Sequence, residues 1–454
     1  MSRMFGTDGI RGVANTGLMT AETVLQIGRA TAYVCKRSHA PGRRRRIVIG
    51  KDTRASGYML ENALSAGICS MGVDVMLLGP IPTPGIAFST ISMRADAGLV
   101  ISASHNPFED NGIKIFSHDG FKLPDAVEDE IADIIQNGRI NDLRPISDQV
   151  GRAKRIDDAI GRYIVFCKKT FPNDLSLEGL RIVLDCANGA TYKIAPIIFE
   201  ELGAEVFAIH NQPNGLNIND HCGSQHPEDL IKKVLETRAD LGLAFDGDGD
   251  RLIAVDERGR ELTGDHLIAI LARHLKSRGL LPNDRVVTTV MSNFGFVKCM
   301  RELEIDLKMT QVGDRYVLQT LLEEEAVLGG EPSGHIICRN LHTTGDGIIA
   351  ALQLLRVMQS EKKKLSELAG IMTLFPQKLI NVTVANKPPI EEVDSIQKAI
   401  QDAEKTLKGN GRVLIRYSGT QSMCRVMVEG PTQDVTESLA NSLARTVSAA
   451  LGGP

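Results

Sequence analysis

The sequence predicts an α/β fold: three similar α/β domains with mixed, mostly parallel sheets, then a smaller C-terminal α+β domain, arranged around a central cleft. Three observations predict it. One order of apolar strands and helical stretches occurs three times, each third strand runs into a polar loop, and the pattern changes near residue 375. Strands that alternate with helices form parallel units, because each crossover packs back on the sheet.

Each repeat opens on an apolar strand: Ile47-Val48-Ile49-Gly50, Ile182-Val183-Leu184-Asp185 and Val286-Val287-Thr288-Thr289-Val290. A helical stretch follows, then a second strand in "GVDVMLLG" (72–79), "GAEVFAIH" (203–210) and "EIDLKMTQ" (304–311). After another helix the third strand enters "VISASHNP" (100–107), "LAFDGDGD" (243–250) or "VLGGEPSGH" (327–335). Ligands of such sheets gather at the carboxyl ends of strands, so the three loops read as walls of one cleft. Beyond residue 375, "KLINVTVANK", a helix near 390–407 and the strand pair in "RVLIRYSGTQSMCRVMVEG" make the smaller domain, closed by a last helix. The expected domains are 1–152, 153–256, 257–374 and 375–454.

Composition excludes several function classes. A length of 454 residues and a hydrophobic fraction of 43% supply several packed cores, and the net charge is only −4. The run Arg43-Arg44-Arg45-Arg46 is isolated, reads as a solvated loop, and lacks the aromatic interleaving of a nucleic-acid surface. Lys362-Lys363-Lys364 reads as an exposed helix start. None of the eight cysteines falls in a Cys-x-x-Cys pair, which suits buried thiols in a reducing compartment. With no apolar signal core and no run of membrane-spanning length, the expectation is a soluble, cytoplasmic protein without nucleic-acid or membrane partners.

The loop Asp246-Gly247-Asp248-Gly249-Asp250-Arg251 carries the most specific chemistry. Three carboxylates at alternate positions can converge on one hard divalent cation. A calcium EF-hand fits poorly, because Arg251 occupies the position of the required glycine and the preceding residues are strand-like. Together with a phosphoryl oxygen, the three aspartates suit Mg²⁺. A serine hydroxyl at a facing strand end, Ser104, can then carry a phosphoryl group whose charge the cation offsets. Lys114, in the same segment, could serve as acid or base if neighbouring cations and burial lower its pKa. His105 could touch the phosphoryl group or merely order its loop. Gly330-Glu331-Pro332-Ser333-Gly334-His335 offers groups for sugar hydroxyls, with His335 as a second proton carrier. Arg416-Tyr417-Ser418-Gly419-Thr420, with Arg425, reads as a phosphate cradle or else a plain hairpin turn. In "FGTDGIRG", Arg11 faces an anion or belongs to a turn.

These segments resemble the α-D-phosphohexomutase superfamily: Ser104-His105-Asn106-Pro107, the aspartate loop, Gly330–His335 and Arg416–Thr420 occur in the family's order and span nearly the whole chain. "FGTDGIRG", "ISASHNP" and "VGDRYV" (312–317) are similar to the branch that acts on glucosamine phosphates. The resemblance implies a four-domain cytoplasmic enzyme interconverting glucosamine 6-phosphate and glucosamine 1-phosphate, a supplier of UDP-N-acetylglucosamine for the cell envelope. It implies phosphate on Ser104, one Mg²⁺ held by Ser104, Asp246, Asp248 and Asp250, and a glucosamine 1,6-bisphosphate intermediate. Glucosamine or glucose 1,6-bisphosphate would be the activator. Lys114 and His335 would be acid and base, while Arg11, Arg251 and His105 would contact the transferring group. Glu331 and Ser333 would grip the sugar, and Arg416, Ser418, Gly419, Thr420 and Arg425 the idle phosphate. A homodimer would be in keeping with this branch.

The chain departs from the family at Tyr417, Gln421 and Ser422, which replace proline, glutamate and proline, and at Pro332, where this branch often has glutamine. A phosphomannomutase/phosphoglucomutase would share every catalytic residue. A non-catalytic phosphosugar-binding protein would need neither Ser104 nor the aspartates, and a metal-dependent phosphatase would need no separate phosphate cradle.

Overall fold

The computed structural model describes residues 4–6, 8–37, 44–418 and 422–452. Its first sheet has the order β1-β5-β4-β2-β3-β6, formed by β1 (Ile10–Val13), β2 (Arg46–Lys51), β3 (Asp74–Pro80), β4 (Ala97–Ile101), β5 (Asp110–Ser117) and β6 (Ala153–Arg155). The second, β11-β10-β9-β7-β8, contains β7 (Arg181–Asp185), β8 (Glu205–Ile209), β9 (Leu241–Phe245), β10 (Leu252–Asp256) and β11 (Glu261–Leu262). The third, β13-β12-β14-β15, contains β12 (Arg285–Thr289), β13 (Asp306–Thr310), β14 (Leu328–Gly330) and β15 (Ile336–Cys338).

One topology is thus built three times. The first strand of each repeat lies between its second and third, all parallel. A fourth strand, β5, β10 or β15, returns antiparallel to the third. The central strands are covered on both faces, so they read as continuous apolar runs: β4 and β9 are buried at every position. The returning strand is what the repeat pattern does not announce. It turns each polar loop into a tight connection between two buried strands and sets Lys114 on β5 opposite Val100 on β4.

The chain divides into two compact units, residues 1–291 with 305–370 and residues 292–304 with 371–454. The helix Phe294–Glu302 belongs to the second unit, although the repeat pattern assigns it to the third sheet. That unit carries an antiparallel sheet, β16-β18-β17, of β16 (Gln377–Thr383), β17 (Arg412–Tyr417) and β18 (Met423–Glu429). Helices Asp394–Leu407 and Gln433–Leu451 cover it, burying Ile396, Val426, Val428, Leu443 and Val447. The fully buried Glu429 accepts from Arg412 Nε (2.6 Å), Phe294 N (3.0 Å) and Asn293 Nδ2 (3.1 Å), which fastens residues 292–304 to this sheet.

One basic run is an exposed helix start as expected, and the other differs from expectation. Lys362 ends the helix Gly347–Glu361 in left-handed conformation (φ 52°), and Lys364 caps the next short helix, so the run is a helix junction. Arg44 donates to the carbonyls of Asp148 and Val150, and Arg45 pairs with the buried Asp96 at 3.3 Å, so these arginines fasten chain instead of floating in solvent. Arg43 lies outside the described residues.

Candidate active site

Within the first unit, the connections of all three sheets meet. Thr83 donates through N (2.9 Å) and Oγ1 (2.7 Å) to Asp248, Leu252 N donates to Gly334 O (2.9 Å), and Gly347 N to Gly249 O (3.0 Å). The expected walls of one cleft therefore touch one another.

Ser104 follows β4 by three residues, is 2% exposed, and has a left-handed backbone (φ 53°). Such a conformation is costly for a residue with a Cβ and persists only where its surroundings impose it. The imposing group is Arg54, which is fully buried. Its NH2 donates to Ser104 O (3.0 Å) and Asn106 O (2.8 Å), and its NH1 to the carbonyls of Pro107 and Asp110. Asp52 orients that guanidinium (2.8 Å) and accepts from Ser102 Oγ (2.6 Å). From the second sheet's side, Asn219 Nδ2 also donates to Ser104 O (2.9 Å) and Asn106 O (3.0 Å). Gly247 packs so closely here that a Cβ would lie 2.6 Å from Ser104 O, which explains the glycine between two aspartates.

Ser104 Oγ donates to Asp246 Oδ2 at 2.7 Å. Ligand oxygens of Asp246, Asp248 and Asp250 all lie within 4.8 Å of one another, and the three residues are buried. Burial and the charges of Asp250 and Asp248 push the Asp246 carboxyl well up. Asp248 Oδ1 and Asp250 Oδ1 are buried without hydrogen-bond partners. Crowded carboxylates with orphaned oxygens are what a hard cation would relieve, so these residues fit a metal ion.

Lys114 Nζ contacts Asp248 (3.0 Å), Asp8 (3.3 Å) and Asp250 (3.7 Å). The sequence reading needed its pKa to fall; the structure raises it. Burial opposes the charge, but three carboxylates outweigh burial and the nearby Arg11, so the ammonium is held protonated. His335 Nδ1 lies 3.6 Å from Asp250 and Nε2 3.8 Å from Asp314; against burial, these carboxylates raise the imidazole to about 9. His105 Nδ1 is 3.2 Å from Ser104 Oγ, and burial with Arg251 and Arg11 lowers it to about 4, leaving it neutral. Arg11 pairs with Asp8, while the half-buried Arg251 guanidinium is held charged, against desolvation, chiefly by Asp246, Asp250 and Glu331.

Glu331 Oε1 accepts from Gly313 N (3.0 Å), and the Ser333 hydroxyl, two residues on, has no hydrogen-bond partner. Arg11 Nε, Arg251 Nε, Ser333 Oγ and His335 Nε2 join the two aspartate oxygens as buried polar atoms lacking hydrogen bonds. Native interiors rarely tolerate this unless a ligand satisfies the atoms.

In the second unit, Arg416 and Arg425 are directly paired across β17 and β18. Burial and the Arg425 charge lower Arg416, and Arg425 Nε is buried without a partner. Facing cations on neighbouring strands repel, so an anion would relieve them. Ser418 N donates to Met423 O (2.9 Å), and Tyr417 Oη to Pro388 O (2.6 Å), which anchors the position where the family has proline. Gly419, Thr420 and Gln421 lie outside the described residues.

Sequence reasoning missed Asp8, Arg54, Thr83, Lys122, Asn219 and Asp314. Lys122 bridges Asp8 and Asp314, tying the N-terminal segment to the third sheet's loops. Asp8 and Asp314 sit in the quoted strings "FGTDGIRG" and "VGDRYV", so the signal was present as a string and not as a residue. Arg54 and Asn219 act on backbone carbonyls, which no side-chain pattern marks.

A serine hydroxyl against a carboxylate triad, with guanidiniums and protonated groups around it, is an arrangement suited to phosphoryl transfer. Comparison with known proteins agrees. The four phosphoglucomutase/phosphomannomutase domain families match: α/β/α domain I over residues 2–141, II over 162–259, III over 263–375, and the C-terminal domain over 379–446. The chain belongs to this family, the α-D-phosphohexomutases. Its curated relatives include the phosphoglucosamine mutases of Syntrophus aciditrophicus, 58% identical over 452 residues, and Syntrophobacter fumaroxidans, 56% identical, each covering all of both chains. Among solved structures, a phosphoglucomutase/phosphomannomutase family protein from Burkholderia thailandensis superposes with a TM-score of 0.81 at 24% identity, covering 99% of this chain and 98% of that one, which supports the shared fold.

Proposed function

We propose that the chain interconverts glucosamine 6-phosphate and glucosamine 1-phosphate, the reaction of a phosphoglucosamine mutase, through a phosphoserine at position 104 and glucosamine 1,6-bisphosphate. The sugar follows from the relatives at 56–58% identity, which carry that name across the full length. The observation that carries the chemistry is the 2.7 Å contact between Ser104 Oγ and Asp246 within the buried triad.

In the first half-reaction the bond from Ser104 Oγ to phosphorus breaks as one from a sugar hydroxyl forms. The hydroxyl gives up a proton and the serine oxygen gains one. After the bisphosphate reverses its orientation, the second half-reaction returns the other phosphoryl group to Ser104. Lys114 and His335 are the proton carriers of this scheme: the carboxylates around them hold both protonated, so either can give the serine oxygen its proton, and the other must first lose its own to take the hydroxyl's. Arg11 and Arg251 lie against the moving phosphoryl group, and neutral His105 orients Ser104 Oγ. Asp246, Asp248 and Asp250 would hold Mg²⁺ with an oxygen of Ser104 or its phosphate; when bound, the ion offsets charge on the transferring group. Glu331 and Ser333 grip the sugar. In the second unit Arg416, Ser418 and Arg425, with Gly419 and Thr420, take the idle phosphate. A sugar bisphosphate primes Ser104, and the reading places the enzyme in the cytoplasm, upstream of UDP-N-acetylglucosamine for the cell envelope.

A coupled assay with Mg²⁺ and a trace of sugar bisphosphate tests this by comparing glucosamine 6-phosphate with glucose and mannose 1-phosphates. The expected result is preferential turnover of the glucosamine ester, abolished in Ser104→Ala. Faster turnover of a hexose ester would overturn the sugar assignment, and full activity in Ser104→Ala would overturn the mechanism.

A further inference from the structure

We propose a second cation site, separate from the aspartate triad and suited to a thiolate-accepting divalent ion such as Zn²⁺, formed by Asp185, His210 and Cys222. One ligand atom from each, a carboxylate oxygen, an imidazole nitrogen and a sulfur, lies within 4.8 Å of the others. Asp185 is the last residue of β7 and His210 follows β8, so two parallel strand ends supply two donors. Cys222, 1% exposed, comes from the loop before the 3₁₀ turn Gly223–Gln225.

The Asp185–His210 edge of the site is close to the spacing an ion needs. Bond lengths of 2.0–2.3 Å around a tetrahedral ion put ligand atoms about 3.3–3.5 Å apart. Asp185 Oδ2 and His210 Nδ1 are 3.0 Å apart, so an opening of a few tenths of an ångström admits the ion between them. Asp185 is already fixed by backbone donors, Ala187 N to Oδ1 (2.8 Å) and Gly223 N to Oδ2 (2.9 Å). The other imidazole nitrogen, Nε2, lies 3.3 Å from Asp229 Oδ2. A carboxylate behind the free nitrogen of a ligating histidine is the usual outer support of such sites. Binding replaces the Cys222 thiol proton, which leaves to solvent, with the ion. In neutral His210 the ring hydrogen is then on Nε2, where Asp229 accepts it. The His210 side chain is a quarter exposed, so solvent reaches one side of the cluster.

The donor set separates this site from the triad. Three carboxylates favour a hard ion, whereas sulfur and imidazole favour Zn²⁺. The location gives it a consequence. His210 and Cys222 bracket the loop 211–221, which carries Asn219, and Asn219 holds the carbonyls of Ser104 and Asn106. An ion bound by both brackets clamps the segment that holds the Ser104 loop.

The test is a Co²⁺ titration of the full chain in saturating Mg²⁺, read by the thiolate-to-cobalt charge-transfer absorption. We expect one equivalent of Co²⁺ per chain, displaced by Zn²⁺. The band should vanish in Cys222→Ser, persist in Asp248→Asn, and require at least ~10-fold more Co²⁺ in Asp229→Asn. No thiolate band in the folded wild-type chain would overturn the proposal, and so would a band that survives Cys222→Ser. Should Cys222→Ser fail to fold by circular dichroism, His210→Gln decides: unchanged Co²⁺ affinity overturns the site, and weakened affinity supports it.

Discussion

Arg54 shows how much of this site is carried by a residue with no role in the chemistry. One buried guanidinium donates to the carbonyls of residues 104, 106, 107 and 110 and is oriented by Asp52. Lysine keeps the charge but cannot fan five donors in a plane. Arg54→Lys should therefore leave carbonyls of the Ser104 loop unpaired, costing about 1–3 kcal/mol for each buried group so orphaned. Ser104 would lose its imposed left-handed backbone, and kcat should fall by ~10²-fold with a smaller change in KM. Steady-state kinetics alongside thermal denaturation check this; loss of stability with unchanged kcat would contradict it. The reactive serine and its aspartates were legible in the sequence because side-chain chemistry marks them. Arg54 and Asn219 were not, because they speak to backbone carbonyls whose positions exist only after folding.

At the scale of elements, the repeated connection between third and returning strands carries Ser104, His105, the three aspartates, Arg251, Glu331, Ser333 and His335. The sequence announces the three parallel strands through apolar runs and the loops through their polar residues. The returning strand β15 has only three residues, all buried, and gives little pattern of its own. Nor does periodicity tell that the helix Phe294–Glu302 packs with the second unit; the buried Glu429 that fastens its start is 135 residues away in sequence. The sugar loop depends on Gly334, which has φ +91° and whose added Cβ would lie 2.2 Å from Leu252 O. Gly334→Ala should displace Glu331, Ser333 and His335 together. We expect kcat/KM to fall by ~10²-fold or more, with a stability loss of about 1–3 kcal/mol. Denaturant melts and kinetics on one preparation test it, and wild-type kinetics in the variant would contradict it.

At the scale of the first unit, buried polar contacts join the sheets, and one of them titrates. His342 Nε2 donates to Pro84 O (2.9 Å) and Nδ1 accepts from Thr343 N (2.7 Å), so the ring is neutral in its place. Burial lowers it to about 4. Its unfolded value is about 6.5, so the unfolded chain binds the extra proton first as pH falls. The stability it contributes is thus complete above pH ~6.5 and lost on acidification towards pH 4, up to about 3 kcal/mol. His342→Gln should flatten the acid limb of a stability–pH curve over that window; an unchanged slope would contradict it.

The most direct measurement is the fate of one phosphoryl group. Full-length protein primed with glucose 1,6-bisphosphate, digested and mapped by mass spectrometry, should carry a single phosphate, on Ser104. In protein primed with ³²P-labelled bisphosphate, a chase with unlabelled glucosamine 6-phosphate and Mg²⁺ should move the label from Ser104 into the glucosamine phosphates, while the second half-reaction puts unlabelled phosphate in its place. Phosphate on any other residue, or label on Ser104 that the chase leaves in place, would contradict the account.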